Sequence, residues 1–268
     1  MENKSTYPIG VFDSGIGGLT VVKSLMQLLP NENIVYFGDT ARVPYGPKSN
    51  AVVREYTRDD VNILLQHNVK MIVVACNTVS AVALDIVMQM SSIPVIGMIA
   101  PGAEFALKNS SSKQIGIIGT VATIQSKAYE NTLLQLDSSV NCFAKACPLF
   151  VSLAEEGMFN HLATELIAKE YLAPLLQQKI DTLILGCTHY PLLKDTISKV
   201  TQGAVKLIDS GEAAALKVKE VLQQNNLLNE NKDSPLLQLF VSDAPEKISK
   251  LCEQFLGRKP GVIRQIHI

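Results

Sequence analysis

The chain has 268 residues, 47% hydrophobic and 18% charged, with a formal net charge of -1. This composition suits a globular protein with one large or two medium cores, and it argues against a nucleic-acid partner, which requires a clustered excess of Lys and Arg. No stretch of about 18 residues is apolar throughout, so no membrane partner is expected; Met1–Tyr7 lacks the apolar run of a signal peptide, and five cysteines without paired spacing read as free thiols of a cytoplasmic protein.

Short apolar runs alternate with longer helical patterns along most of the chain. The runs are Ile9–Phe12, Ile34–Phe37, Met71–Ala75, Pro94–Met98, Ile115–Ile118, Leu183–Leu185 and Lys206–Ile208, with a weaker one at Cys142–Ala146 that Lys145 interrupts. They show little period-2 alternation, as expected of strands covered on both faces. Helices are predicted over Gly18–Leu29, Ala51–Gln66, Val79–Met90, Ile124–Leu136, His161–Gln177 and Gly211–Gln223. Leu236–Val241 and Val262–Ile268 read as further strands, the last at an edge. Lys108–Lys113 and Asn225–Ser234 read as polar surface loops. Strand–helix alternation of this kind implies mainly parallel sheets with right-handed crossovers.

Two similar halves are expected. One opens with Ile9-Gly10-Val11-Phe12-Asp13 and has a strand ending at Cys76; the other opens with Ile115-Gly116-Ile117-Ile118-Gly119-Thr120 and has a strand ending at Cys187. The expected architecture is α/β: two similar domains, each a mainly parallel sheet flanked by helices, with the site in the cleft between them. Residues 1–98 with 209–268 form the first and 99–208 the second, with boundaries near Met98–Pro101 and Ile208–Gly211. Ligands of open α/β sheets bind outside the carboxyl ends of the strands, which is where both thiols fall.

Cys76 and Cys187 each follow an apolar strand and precede polar residues leading into a predicted helix. The positive end of a helix dipole there stabilises a thiolate. Either cysteine alone could equally be a small buried hydrophobe. Two in matching contexts suit a reaction that takes a proton from one face of a carbon and returns one to the other, because two flanking acid/base groups do this directly. No CxxC is present, and Asn77, Thr78 and Thr188 are poor partners for a thiolate metal site, so no metal is expected. Asp13-Ser14-Gly15-Ile16-Gly17-Gly18 offers a tight turn with open backbone N–H groups, which favours a carboxylate over a nucleotide because no phosphate-binding fingerprint is present; Asp13 could also be a simple turn residue. Gly38-Asp39-Thr40-Ala41-Arg42-Val43-Pro44-Tyr45-Gly46 reads as a structured loop at the same end of the sheet. His189 lies close enough to tune Cys187, while His67, His161 and His267 read as structural. Glu155 and Glu156 read as a solvated helix end.

Together, Asp-Ser-Gly-x-Gly-Gly at 13–18, Gly-Asp-x-x-x-x-Pro-Tyr-Gly at 38–46, Ala-Cys-Asn-Thr at 75–78, Gly-Cys-Thr-His-Tyr-Pro-Leu at 186–192 and Ile-Asp-Ser-Gly at 208–211 resemble the glutamate racemase family, in order and over nearly the whole chain. The resemblance implies racemisation of L-glutamate to D-glutamate for peptidoglycan, with no cofactor and no pyridoxal phosphate. It implies Cys76 and Cys187 as the acid/base pair, with Cys187 deprotonating L-glutamate and Cys76 the D-enantiomer. Asp13 would assist near Cys76 and His189 near Cys187, with Glu155 a further assisting carboxylate. Ser14, Pro44, Tyr45, Gly46, Asn77, Thr78, Thr120, Thr123 and Thr188 would hold the substrate, together with Asp13 and His189. A homodimer is the family expectation. A same-type racemase for aspartate, and a two-lobed binding protein without chemistry, are the alternatives.

Overall fold

The apolar runs become the strands of two parallel sheets in the computed structural model, which describes residues 4–231 and 234–268. In chain order the elements are β1 (Ile9–Asp13), α1 (Leu19–Leu28), β2 (Ile34–Gly38), α2 (Asn50–Leu65), β3 (Met71–Val74), α3 (Asn77–Val82), α4 (Leu84–Met90), β4 (Val95–Ile96), α5 (Ile99–Asn109) and β5 (Gln114–Gly119). They continue with α6 (Val121–Gln125), α7 (Ala128–Leu136), β6 (Asn141–Ala146), α8 (Leu149–Glu155), α9 (Leu162–Gln177), β7 (Thr182–Gly186), α10 (Lys194–Val200), β8 (Lys206–Asp209), α11 (Ser210–Gln224), β9 (Leu237–Val241), α12 (Pro245–Leu256) and β10 (Ile263–Gln265).

One sheet runs β10-β9-β2-β1-β3-β4 and the other β6-β5-β7-β8, all pairings parallel. The first draws its strands from the two ends of the chain and the second from its middle. Every residue of β1, β2 and β7 is buried, the consequence of helices on both faces. Alternate side chains feed two different cores: Ile9, Val11, Ile34 and Tyr36 pack with α1, α11 and α12, whereas Phe12, Val35 and Phe37 pack with α2 and α3. In the second sheet Ile115, Ile117 and Ile184 meet α5 and α7, and Ile118, Leu183 and Leu185 meet α8 and α9. Each such fully buried side chain contributes roughly 1.5–3 kcal/mol.

Three expected elements differ. Val79–Met90 is two helices, parted at Ala83 (φ -143°, ψ 7°), and no Gly or Pro in the run marks the break. Ser80 explains the first piece: its Oγ donates to the Val74 carbonyl and accepts from Met98 N–H, tying α3 to the strands beneath it. Ile124–Leu136 likewise divides at Lys127, which is left-handed (φ 55°), with Ser126 Oγ donating to Thr123 O and accepting from Ala128 N–H. The first two residues of the polar run 108–113 are helical, because Lys108 and Asn109 close α5. β10 takes the sheet edge, as its sequence suggests. Of the polar run 225–234, residues 232 and 233 lie outside the described residues, as do residues 1–3 of the N-terminal stretch. Among the described residues no helix is long and apolar enough to cross a membrane.

Candidate active site

In each sheet a central strand and its neighbour deliver the reactive groups to one end. β1 ends at Asp13 and pairs with β3, after which come Ala75 and Cys76; β5 ends just before Thr120 and pairs with β7, after which comes Cys187. The internal correspondence read from the sequence is therefore also a spatial one. Cys76 is the N-cap of α3. Cys187 differs from expectation: it is followed by a 3-10 turn, Tyr190–Leu193, and α10 begins only at Lys194.

Cys187 belongs to a side-chain chain. Its Sγ lies 3.8 Å from His189 Nδ1, and His189 Nε2 lies 3.0 Å from Glu155 Oε1. His189 is 4% exposed, with Phe255 edge-on to its ring at 5.1 Å between centroids. Burial alone would strip the proton from this imidazole, but hydrogen bonds and charge from Cys187 and Glu155 outweigh it and raise the pKa to about 10. At neutral pH His189 is therefore an imidazolium held against a sulfur. Glu155, read from sequence as a solvated helix end, closes α8 and turns its carboxylate to the histidine.

Cys76 is equally buried but among the described residues has no imidazole beside it. Burial, reinforced by the charge of Asp13, pushes this thiol up to about 12, against the pull of Val79 N–H and Ser14. This corrects the expectation that the helix start lowers it: α3 is only six residues long, and desolvation outweighs its dipole. Ser14 Oγ is 3.6 Å from Cys76 Sγ. Asp13 is fully buried; its Oδ2 accepts from Gly15 N–H (3.2 Å), and its Oδ1 has no partner among the described residues. Burial raises the Asp13 pKa, opposed by the charge of His189 and by backbone N–H groups of Gly18, Gly15 and Ser14.

Both thiols line one cavity of about 30 Å³, together with Ser14, Val43, Pro44, Tyr45, Gly46, Asn77, Thr78, Thr120, Val151, Thr188 and His189. Residues of both sheets thus form the wall. A larger recess of about 480 Å³, lined by Ser5, Thr6, Leu222 and Asn226 among others, sits at the amino end of β1 and holds neither thiol nor imidazole, so the chemistry selects the smaller cavity. Three expected site residues stand behind the wall: Asp13 beneath Ser14, Glu155 behind His189, and Thr123, whose hydroxyl bonds Thr120 Oγ1 at 2.9 Å. Thr120 Oγ1 also meets Thr78 Oγ1 at 2.9 Å, linking the halves. Asn77 has its side chain engaged: Tyr129 donates to its Oδ1 (2.7 Å) and its Nδ2 donates to Ser210 Oγ (3.2 Å). Sequence reasoning missed Val43 and Val151. Val43 lay inside a motif already singled out; Val151 sits on α8, which carried no signal. Two further histidines have structural contacts: His161 caps α9 by accepting from Ala163 N–H, and His67 packs at a tilt against Phe240; His267 is exposed. All five cysteines are free thiols. Among the described residues no group of three His, Cys, Asp or Glu could hold a metal ion.

The model of the Asp/Glu/Hydantoin racemase family matches residues 9–218, most of the chain. The chain belongs to this racemase family. Its relatives include a glutamate racemase of Chlorobaculum tepidum, 52% identical over 94% of this chain and 93% of that one. Among solved structures, it resembles glutamate racemase of Francisella tularensis in complex with D-glutamate, with TM-score 0.91 and 42% identity over 98% of both chains. It also resembles the RacE1 isoform of glutamate racemase from Bacillus anthracis, with TM-score 0.95 and 39% identity over 98% of both. The two-sheet α/β architecture is thus that of the racemase family, and the thiol-lined cavity is the feature of this member that requires a chemical account.

Proposed function

We propose that this chain is a glutamate racemase working without a cofactor by two-base proton transfer at Cα. The observation that carries the reading is that two thiols from corresponding strand ends of two sheets line one small cavity, one beside an imidazolium and the other kept protonated by burial. Relatives named glutamate racemase, one of them solved with D-glutamate, support the choice of substrate.

L-glutamate lies with Cα between the sulfurs. Cys187, as thiolate beside the His189 imidazolium, takes the α-proton, and the Cys76 thiol delivers its own proton to the opposite face. Cys187 is left as thiol and Cys76 as thiolate, so the enzyme is set for the D-to-L direction. Burial keeps Cys76 as the thiol at the start, and the imidazolium stands beside Cys187. His189, held by Glu155, supports charge at Cys187; Asp13, with Ser14 above it, supports proton movement at Cys76. Ser14, Thr78, Thr120, Thr188 and the Pro44-Tyr45-Gly46 strip hold the ammonium and carboxylates. Asn77 contributes its backbone amide, and Thr123 acts through Thr120. We assign residues 1–98 with 209–268 to one domain and 99–208 to the other, the cavity lying between them. The product, D-glutamate, serves peptidoglycan synthesis in the cytoplasm, and the working unit is a homodimer.

Circular dichroism of purified protein with L-glutamate and no added cofactor tests the reading. Decay of the signal towards zero with glutamate, and none with L-aspartate, is expected. Decay with aspartate alone would reassign the substrate, and no decay with either would remove the activity.

A further inference from the structure

Tyr45 lines the cavity and is 1% exposed, but its hydroxyl is engaged by a group of acids behind the loop. The phenol oxygen contacts Asp39 Oδ2, immediately after β2, and Asp60 Oδ2, on α2, the latter at 3.1 Å. Asp39 and Asp60 are both fully buried. Arg42 reaches all the acids of the cluster: Nε to Asp39, Nη2 to Asp60 Oδ1 at 3.2 Å, and Nη1 to the half-exposed Asp59 at 2.7 Å. Ser242, after β9, donates to Asp39 Oδ1 at 2.8 Å.

The hydrogens do not suffice if both buried acids are ionised. A phenol has one hydrogen to give, yet its oxygen faces two carboxyl oxygens. One contact would then set two lone pairs against each other inside the protein, and one guanidinium would serve three carboxylates. A single extra proton removes both problems. Asp39 already accepts from Arg42, Ser242 and Tyr45, whereas among the described residues Asp60 meets one guanidinium N–H besides the phenol, so the proton belongs on Asp60. The chain of donors then runs Asp60 to Tyr45 to Asp39, and every contact carries a hydrogen. Burial and the charge of Asp39 push the Asp60 carboxyl in this same direction.

We propose that Asp60 is a carboxylic acid at neutral pH and that Asp60, Tyr45 and Asp39 form a positioning latch that fixes the Pro44-Tyr45-Gly46 strip of the cavity wall for substrate. Two neighbouring contacts give the latch its reach. At one end of the loop Ala41 N–H donates to Ser242 Oγ (2.8 Å), and Thr40 and Asp243 exchange hydrogen bonds. At the other, the Gly46 carbonyl accepts from Ala122 N–H of α6 (3.2 Å), and a Cβ on Gly46 would lie 2.9 Å from Thr120. The loop is therefore strung between the first sheet and the second, and Tyr45 is its fixed point. Among the described residues no hydrogen bond joins the three latch side chains to a thiol; Asp39 and Asp60 act on substrate through the loop.

The inference rests on the glutamate racemase reading, and its test separates the two. Glutamate kcat and KM are measured for wild type, Asp60→Asn, Asp60→Ala, Asp39→Asn and Tyr45→Phe, with amide hydrogen exchange of residues 40–46 in each. Asn at 60 reproduces the neutral acid, its amide N–H donating to Tyr45 and its carbonyl accepting from Arg42, so KM and exchange should match wild type. Asp60→Ala and Tyr45→Phe should raise KM about tenfold, the usual effect of losing a hydrogen bond in a charged network, with a smaller change in kcat and faster exchange at 40–46. Asp39→Asn should do the same. Equal damage from Asp60→Asn and Asp60→Ala would place a charge, not a proton, on Asp60 and overturn the proposal. Wild-type KM and exchange in Tyr45→Phe would also overturn it. If Asp39→Asn does not fold, the two Asp60 variants still decide. If wild type does not racemise glutamate, the functional reading fails while the exchange data continue to test the latch.

Discussion

Gly17→Ala is the substitution for which the structure gives the sharpest expectation. A Cβ at this position would fall 2.3 Å from Thr188 Oγ1, 2.5 Å from His189 Cε1 and 2.6 Å from His189 Nδ1. Carbon atoms pack best near 3.5–4.0 Å, so the imidazole must retreat by about 1 Å. Glu155 holds its far nitrogen and Phe255 packs T-shaped against its ring, so the imidazole cannot move without breaking one of these contacts. The Cys187–His189 contact is already 3.8 Å and does not survive such a shift. Overpacking of this kind costs about 1–3 kcal/mol in stability. A 1 Å misplacement of a catalytic group costs about a hundredfold in rate. The assay is α-proton exchange in D2O, followed by NMR separately for each enantiomer, with a thermal midpoint in parallel. Exchange from L-glutamate, the Cys187 side, should fall about a hundredfold, and exchange from D-glutamate much less. Full exchange from both enantiomers with an unchanged midpoint would refute the reasoning.

Further outcomes follow from the same contacts. Glu155→Gln removes a charge that helps raise the His189 pKa to about 10, so an NMR titration should show that pKa move down; no downward shift would contradict the coupling. Tyr129→Phe leaves the buried Asn77 Oδ1 without its donor and should cost about 1–3 kcal/mol by urea denaturation, whereas an unchanged midpoint would count against the clamp. Stability should fall on the alkaline side. Burial raises the Cys76 thiol from 9.0 to about 12, so the folded protein keeps a proton there that the unfolded chain loses near pH 9; that stabilisation is complete below 9 and gone by about 12. One proton contributes a slope of at most about 1.4 kcal/mol per pH unit, and urea midpoints that rise from about pH 9 to 11 would contradict the assignment.

The sheet architecture and the two thiols were legible because both leave local marks. Strands buried on both faces are written as unbroken apolar runs, and β1, β2, β3, β5 and β7 all read that way. The thiols stood at matching places after two such runs. What the sequence did not disclose depends on contacts between distant segments. By residue pattern alone Glu155 looks like any acid at a helix end; the family resemblance singles it out, and the contact with His189 comes only when α8 brings it there. Asn77 reads as a ligand for substrate, but Tyr129 and Ser210 take its amide groups. The break at Ala83 has no Gly or Pro to announce it, since Ser80 fixes α3 from the strands below. The expected thiolate at Cys76 followed a sound local rule that complete burial overrides. The latch at Tyr45 was hidden for the same reason: Asp60 lies on α2, far along the chain from the motif it supports.

The most direct test of the two-base account is α-proton exchange in D2O by Cys76→Ala and Cys187→Ala, each offered L- and D-glutamate separately. The account predicts that neither variant racemises, that Cys76→Ala still exchanges slowly from L-glutamate alone, and that Cys187→Ala does so from D-glutamate alone. Racemisation at the wild-type rate by either variant, or exchange confined to the opposite enantiomer in each, would contradict it.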